Sequence, residues 1–480
     1  MLFNSLEFLI FLPIVFLLYW FVFHKRQWQN VLVVVASYVF YGWWDWRFLI
    51  LIVITSLSSY ASGLLIERYA GCRQKQRWVN VANIVLNLGI LGTFKYYNFF
   101  VENLAHLVGT LGYQLDCVTL QIILPVGISF YTFQALSYSI DVYQKRLPAT
   151  HNAVEFFAYI SFFPQLVAGP IERATHLLPQ FQRQRHFDYA QAVDGCRQML
   201  WGFFKKLVIA DHCAVVVNEY WDSYAQLPGT ALILLAILFS IQIYCDFSGY
   251  SDIAIGCARL FGIDLMRNFD NPYFSRSMPE FWRQWHISLI SWFRDYIYIP
   301  LGGNRGKKWE TIRNVYIVWT ISGLWHGANW TFICWGLYHG TLLAICNLLG
   351  IHGKEQNRLS TKRLFPGFKA MGQMILTFVL ATIGWTIFRA ESMPQAIDFF
   401  TALLTNRFYD PSMTRGVTIA ASGFVLLFIE WLQRDKQHAL QFTDSKPFSY
   451  PIVRWSIYYL LLLLIDKYSG DGQTFIYFQF

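Results

Sequence analysis

Two histidines, His286 in FWRQWHISLISWF and His326 in LWHGANW, are the residues of this sequence best suited to chemistry. A neutral imidazole, with an ordinary pKa near ~6.5, can take a proton from a hydroxyl as that hydroxyl attacks a thioester, then return it to the departing thiol. Acyl transfer needs little more. His326 is expected well inside an apolar stretch, with the run Val315 to Trp325 before it, where an ionisable side chain is costly unless a cavity or a partner receives it. It is therefore a functional candidate. Gly323 and Gly327 flank it and leave space for a substrate or a neighbouring backbone to come close. The competing account is a helix-packing glycine pair, with the histidine satisfied by Ser322 or Asn329. His339, also followed by glycine, is a further candidate of the same kind.

From Pro279, well placed to start a helix, Trp282, His286, Leu289, Ile290 and Phe293 fall on one face at helical spacing, and Arg283, Ser291 and Arg294 on another. The spacing predicts an amphipathic helix at the cytoplasmic membrane surface, arginines outward and His286 turned to the apolar side. Arg283 and Arg294 are candidate contacts for donor phosphates. The alternative is a surface anchor whose histidine bonds a backbone carbonyl. Asp246 and Asp252, beside a span, are what an ion-coupled transporter would also use. Six residues apart, they share no helical face, and Gly249 between them favours a broken helix whose acids bond nearby serines or tyrosines. GxSxG, P-loop and HExxH patterns are absent, and the eight cysteines form neither a CxxC pair nor a cluster with histidine, so no metal site is expected.

The elements that must position these residues are membrane helices. The chain has 480 residues, 55% hydrophobic and 19% aromatic with 14% charged, where soluble domains carry about a quarter charged residues. Apolar runs of roughly twenty residues, enough to cross a ~30 Å hydrocarbon core, recur throughout. They suggest about twelve spans, near 6 to 23, 29 to 46, 47 to 66, 78 to 98, 120 to 141, 199 to 217, 230 to 247, 312 to 329, 331 to 349, 369 to 388, 416 to 432 and 452 to 466. The first carries Lys25 and Arg26 after it and no positive charge before it, as expected of a span with its N-terminus outside and not of a cleaved signal peptide. Alternating sides puts Arg68, Arg73, Lys75 and Arg77, then Lys145 and Arg146, then Lys354, Arg358, Lys362 and Arg363 in cytoplasmic loops. That distribution accounts for the net charge of +9 without a nucleic-acid partner. Arg389, Arg407 and Arg415 do not fit it. Two stretches, Ala153 to Arg173 and Gly249 to Ile263, look too polar or broken for plain spans and are expected as re-entrant segments around a polar cavity or tunnel. The fold class expected is an all-α polytopic membrane protein, one domain over 1–480.

Several segments resemble the MBOAT (membrane-bound O-acyltransferase) family: DFSGYSDIAIG at 246–256, FWRQWHISLISWFRDYIYIPLGGNR at 281–305 and LWHGANW at 324–330. The likeness extends to LPVGISFYTFQALSYSIDVYQ at 124–144, FFPQLVAGPIER at 162–173 and FIYFQF at 475–480, nearly the whole chain, and is nearest to the branch that acetylates alginate and similar polysaccharides. The resemblance implies many helices around a tunnel, with an acyl donor entering from the cytoplasm and an acceptor from the other face. It puts the family's histidine on His326 and its second active-site position on His286, with Trp325 and Asn329 as neighbouring substrate contacts. It also implies acetyl-CoA as donor substrate with no separate cofactor, an extracytoplasmic acetyltransferase partner, a polysaccharide acceptor and the bacterial inner membrane. D-alanyl transfer to teichoic acid is the alternative within this fold. A polysaccharide exporter or ion-coupled transporter is the alternative from another class.

Overall fold

A computed structural model describes the chain except for residues 114–118, 121–122, 168, 353–364, 410–413, 443–446, 470–472, 474 and 477–480. Lys354, Arg358, Lys362, Arg363 and Cys117 therefore lie outside the described residues, as does most of FIYFQF. The described elements are helical, making up 76% of the chain. Five stretches are long and apolar enough to cross a membrane, Arg26–Arg68, Arg73–Thr110, Gly229–Leu260, Trp330–Leu348 and Phe368–Arg389, with Leu6–Val22 and Gly416–Leu432 shorter. This is a multi-pass membrane protein. By this measure the spans are fewer than hydropathy suggests, because several apolar runs are interrupted. The helix Ile128–Tyr143 in the run at 120–141 starts after Gly127, whose φ of 74° is left-handed, and the run at 199–217 contains a wide π-helical turn, Phe204–Ala210.

The described residues form two compact units, Met1–Ala192 with Cys257–Met266, and Val193–Gly256 with Arg267–Phe480. The first holds α1 (Leu6–Leu17), α2 (Arg26–Asp45), α3 (Leu49–Arg68), α4 (Arg73–Thr110), α5 (Ile128–Tyr143), α6 (Ala153–Ser161), α7 (Phe163–Leu166) and α8 (Ala174–Gln182). Small and polar residues set its packing, as expected where lipid offers helices no hydrophobic reason to associate. Gly63 admits the Tyr138 ring, and Ser139 links α3 to α4 through Ser62 at 2.8 Å and Asn80 at 2.8 Å. The stretch Ala153 to Arg173 holds two short buried helices, α6 and α7. Glu172 at its end accepts from the Met266 N–H at 2.5 Å and lies 2.7 Å from His176 Nδ1.

The second unit holds α9 (Tyr189–Phe203), α10 (Asp211–Trp221), α11 (Gly229–Leu260), α12 (Met278–Gln284), α13 (Ile287–Phe293), α14 (Lys308–His326), α15 (Trp330–Leu348), α16 (Phe368–Arg389), α17 (Met393–Thr405), α18 (Thr414–Leu432) and α19 (Pro451–Tyr468). Two expectations are corrected here. The stretch Gly249 to Ile263 is no re-entrant break, since α11 runs unbroken to Leu260. Its glycines serve a close crossing instead: a Cβ at Gly249 would stand 2.9 Å from the Gly202 carbonyl oxygen, and one at Gly256 2.4 Å from that of Gly195. Conversely, the single amphipathic helix expected from Pro279 is two short helices, broken where the Asp270 N–H donates to the Gln284 carbonyl and the Ile287 N–H to the Asn268 carbonyl, each at 3.0 Å. The chain at 268–270 takes hydrogen bonds that a continuous helix would need. Helix α17 has no counterpart in the expected spans, although Ser392 and Pro394 mark its start, the Ser392 hydroxyl accepting from the Gln395 N–H at 3.3 Å. Arg389, out of place by charge alone, lies 5.0 Å over the Trp221 ring and donates to Asn218 at 3.2 Å.

Helices α14 and α15 pack against each other through glycine. A Cβ at Gly323 would lie 2.2 Å from the Phe332 carbonyl oxygen, and one at Gly336 2.2 Å from that of Trp319. Gly323→Ala should therefore destabilise the protein by about 1–3 kcal/mol through overpacking. Gly372→Ala in α16, where a Cβ meets nothing within 4 Å, should be neutral or stabilising. Thermal unfolding in detergent compares the two, and equal stability would refute close α14–α15 packing.

Candidate active site

His326 is the last residue of α14. Gly327 follows in extended conformation, and Asn329 then caps α15, its side-chain oxygen accepting from the Thr331 N–H at 3.1 Å while its amide donates to the Glu391 carbonyl at 2.8 Å. Asn329 thus builds the turn that presents His326. The imidazole is buried among rings, with centroids of Trp325 and Trp335 at 5.0 Å and of Phe388 at 5.3 Å. The flanking glycines admit Phe332, whose carbonyl faces Gly323 and whose ring faces Gly327. Of the two accounts of these glycines, helix packing is the one the geometry supports, and it leaves the histidine at a helix break.

His286 stands at the break between α12 and α13 with φ 45° and ψ 51°, a left-handed conformation that costs a non-glycine residue about 1–3 kcal/mol. Its ring is edge-on to Phe247 at 4.6 Å and lies 5.9 Å from Trp325. Trp325 therefore touches both histidines. Burial pushes the His286 pKa down to about 3, so the ring stays neutral at physiological pH. Phe247 is itself wedged against Phe269 at 5.0 Å and Phe475 at 6.1 Å, and Ile476 next to it donates its N–H to Asp246 at 2.7 Å. Phe475 and Ile476 thus reach the layer behind His286, a role that no local signal in them announces.

His339 is fully buried on α15, where its Nδ1 accepts from the Trp282 indole at 3.3 Å and Trp319, Trp335 and Trp385 surround it. It is built into the packing. Arg283 donates to the His352 carbonyl at 3.1 Å, and Arg294 to Asp295 at 2.8 Å. Both point outward as expected, but the break between α12 and α13 removes the shared helical face on which they were to align. The structure brings His286, Trp325 and His326 together and holds the two arginines in separate surface contacts.

Asp246 and Asp252 are satisfied by residues the sequence reading did not pair with them. Consecutive lysines on the π-helical turn Phe204–Ala210 receive the acids: Lys205 lies 2.5 Å from Asp252 and 3.6 Å from Glu430, and Lys206 lies 2.8 Å from both Asp211 and Asp246. The expected broken helix with serine or tyrosine partners is thus corrected: the helix is continuous and the acids pair with lysines. Two lysines side by side within an apolar run were the available signal.

Residues 39–352, which include both histidines, match the membrane-bound O-acyltransferase family. The chain is 42% identical over 408 residues to the "Probable alginate O-acetylase AlgI" of Pseudomonas aeruginosa, covering 84% of this chain and 75% of that one. It is 34% identical to the "Peptidoglycan O-acetyltransferase" of Helicobacter pylori, over 83% of this chain and 78% of that one. A "Teichoic acid D-alanyltransferase" of Bacillus subtilis is 27% identical over 55% of this chain and 69% of its own length. With a family match across well over half its length and His286, Trp325 and His326 gathered inside that match, the chain belongs to the membrane-bound O-acyltransferase family and is an acyltransferase.

Proposed function

We propose that this enzyme passes an acetyl group from cytoplasmic acetyl-CoA across the bacterial inner membrane for O-acetylation of a polysaccharide, through an extracytoplasmic partner acetyltransferase. The observation that carries the reading is the buried pair His286 and His326 bridged by Trp325, an aromatic setting in which a proton acceptor stands at a helix end. A hydroxyl oxygen of the acceptor attacks the thioester carbonyl while His326 takes its proton. The carbon–sulfur bond breaks as the tetrahedral intermediate collapses, and the same proton goes to the leaving sulfur. His286, neutral and rigidly held, lines the passage and donates or accepts a hydrogen bond.

The two most fully covered relatives quoted above are named for acetyl transfer to alginate and peptidoglycan, and the D-alanyl relative covers less of the chain, which favours acetyl as the group moved. The Lys and Arg distribution supports a cytoplasmic donor side. Purified protein should release thiol from acetyl-CoA in the presence of acceptor, and a D-alanyl carrier should not replace it. In intact cells a cysteine at Arg305, which follows the segment expected at the cytoplasmic membrane surface, should resist an impermeant maleimide. Transfer from the D-alanyl carrier alone would move the reading to teichoic acid, and rapid outside labelling would reverse the orientation.

A further inference from the structure

In the first unit, the turn between the first two apolar helices, His24 to Arg26, meets the chain at 182–186 in a cluster of cations that the reaction does not use. The Arg26 N–H donates to the Gln184 side-chain oxygen at 3.2 Å, the Gln184 amide donates to the His24 carbonyl at 2.9 Å, and the Arg26 guanidinium donates to the Gln182 carbonyl. Those bonds set Lys25 and Arg26 on backbone adjoining that of Arg183 and Arg185. The Lys25 and Arg183 side chains are exposed and have no hydrogen-bond or ion-pair partner among the described residues. Arg185 is the opposite case, only 6% exposed. Its guanidinium donates to the neutral side chains of Asn30 at 2.6 Å and Gln29 at 3.4 Å, and its Nε is a buried donor with no hydrogen-bond partner among the described residues. Arg26 is near enough to repel it, and the carboxylate that attracts it, Glu155, is already 3.1 Å from Arg26. The other acid of the segment, Asp188, is turned to the next helix, where it accepts from the Gln191 N–H at 3.1 Å. Among the described residues the four cations thus have one carboxylate in contact, and a buried guanidinium without an anion of its own is costly.

The surroundings specify what carries the missing negative charge. Lys25 and Arg26 stand where the apolar helix Leu6–Val22 ends and the long apolar stretch Arg26–Arg68 begins. Both present bare apolar side chains: Ile14, Leu17 and Phe21 on the first and Trp28 and Val35 on the second are each more than half exposed. In a multi-pass membrane protein such surfaces meet acyl chains. Aromatic rings mark the depth. Trp28 stacks on Phe23 at 6.5 Å, and Phe187, 49% exposed, is edge-on to Trp20 at 5.5 Å, whose indole donates to the Leu260 carbonyl at 2.9 Å. Tryptophans gather at the level of lipid headgroups, with the polar edge toward water and the ring toward hydrocarbon. The cations therefore lie at headgroup depth, with apolar surface directly beside them. A soluble phosphate would use the cations alone. A phospholipid uses both, its phosphate against the guanidinium and ammonium groups and its chains along the exposed helix sides.

We propose that Lys25, Arg26, Arg183 and Arg185 form a headgroup site for one anionic phospholipid of the leaflet on their side of the membrane. The site lies within the first unit and does not depend on the acyl-transfer reading. Its test uses the full chain in a neutral detergent, with phosphatidylglycerol or phosphatidylcholine titrated in and the retained lipid counted by native mass spectrometry. The parent should hold one phosphatidylglycerol in preference to phosphatidylcholine. Lys25→Gln with Arg183→Gln, which breaks no bond within the protein, should weaken that binding about thirtyfold, from the usual contribution of each cation near an anionic headgroup. Lys75→Gln with Arg77→Gln removes the same net charge from the exposed start of α4 and should leave the binding within about twofold of the parent, because solvent-exposed charges beyond a Debye length are screened. Comparing the two double variants separates place from total charge. Without added lipid all three proteins should melt alike, and phosphatidylglycerol should raise the melting temperature of the parent and of the Lys75 and Arg77 variant only. Equal retention of the two lipids by the parent, or equal weakening in both double variants, overturns the site. Displacement of the bound lipid by inorganic phosphate also overturns it, and assigns the cations to a soluble phosphate instead.

Discussion

His326→Ala is expected to lower acetyl transfer by about 10²–10⁴ while leaving a folded protein that still binds acetyl-CoA, because a general base contributes to the barrier and not to holding the donor. Donor binding by the variant, measured apart from turnover, and its melting temperature in detergent separate this outcome from a folding defect. His286→Ala should cost less, and His286→Asn less again. Two independent reasons favour asparagine: its amide replaces a hydrogen-bonding imidazole, and it tolerates the left-handed backbone found at φ 45° better than alanine does. An amide cannot accept the proton that His326 must take, so His326→Asn should be as inactive as His326→Ala. Near-normal activity in His326→Asn, or a dead His286→Asn, would require the two roles to be exchanged. Full activity in both alanine variants would remove histidine catalysis altogether and turn attention to His339.

The membrane character and the burial of His326 were legible because each rests on a local signal, apolar length in one case and an ionisable residue beside an apolar run in the other. What was not legible depends on partners remote in sequence. Gly249 reads locally as a helix breaker, but the backbone of Gly202 crosses there, and a glycine that admits a crossing helix is indistinguishable in sequence from one that ends a helix. The break at His286 is likewise imposed from outside its own segment, by residues 268–270, so the regular spacing of Trp282, His286 and Phe293 pointed to one helix. Once that helix is divided, the alignment of Arg283 with Arg294 that suggested phosphate binding disappears. Asp246 and Asp252 were expected to bond serines or tyrosines across a broken helix, and both the continuous helix and the lysine partners had to come from the fold.

Those bases carry the second large effect. Lys206→Met should destabilise the protein by about 3–5 kcal/mol, since removing one partner of a buried ion pair leaves the other charge without compensation, and here it leaves two, Asp211 and Asp246. The same substitution also loosens the tail. The Lys206 ammonium donates to the Gln473 carbonyl at 3.0 Å, and Asp246, which it neutralises, accepts from the Ile476 N–H at 2.7 Å. Phe475 between them packs on Tyr250 at 4.2 Å and on Phe247, the ring against His286. Stability and activity should therefore fall together, yet respond differently to repair. Adding Asp211→Asn and Asp246→Asn to Lys206→Met removes the uncompensated charges and should recover much of the melting temperature. It should not restore full activity, because an amide holds the Ile476 N–H more weakly than a carboxylate does and the contact from Lys206 to Gln473 is still missing. Phe475→Ala, which leaves every charge in place, should reproduce the loss of activity with a smaller loss of stability. If the triple variant regains full transfer, or if Phe475→Ala is as active as the parent, the tail does not position His286 and the lysine cluster serves stability alone.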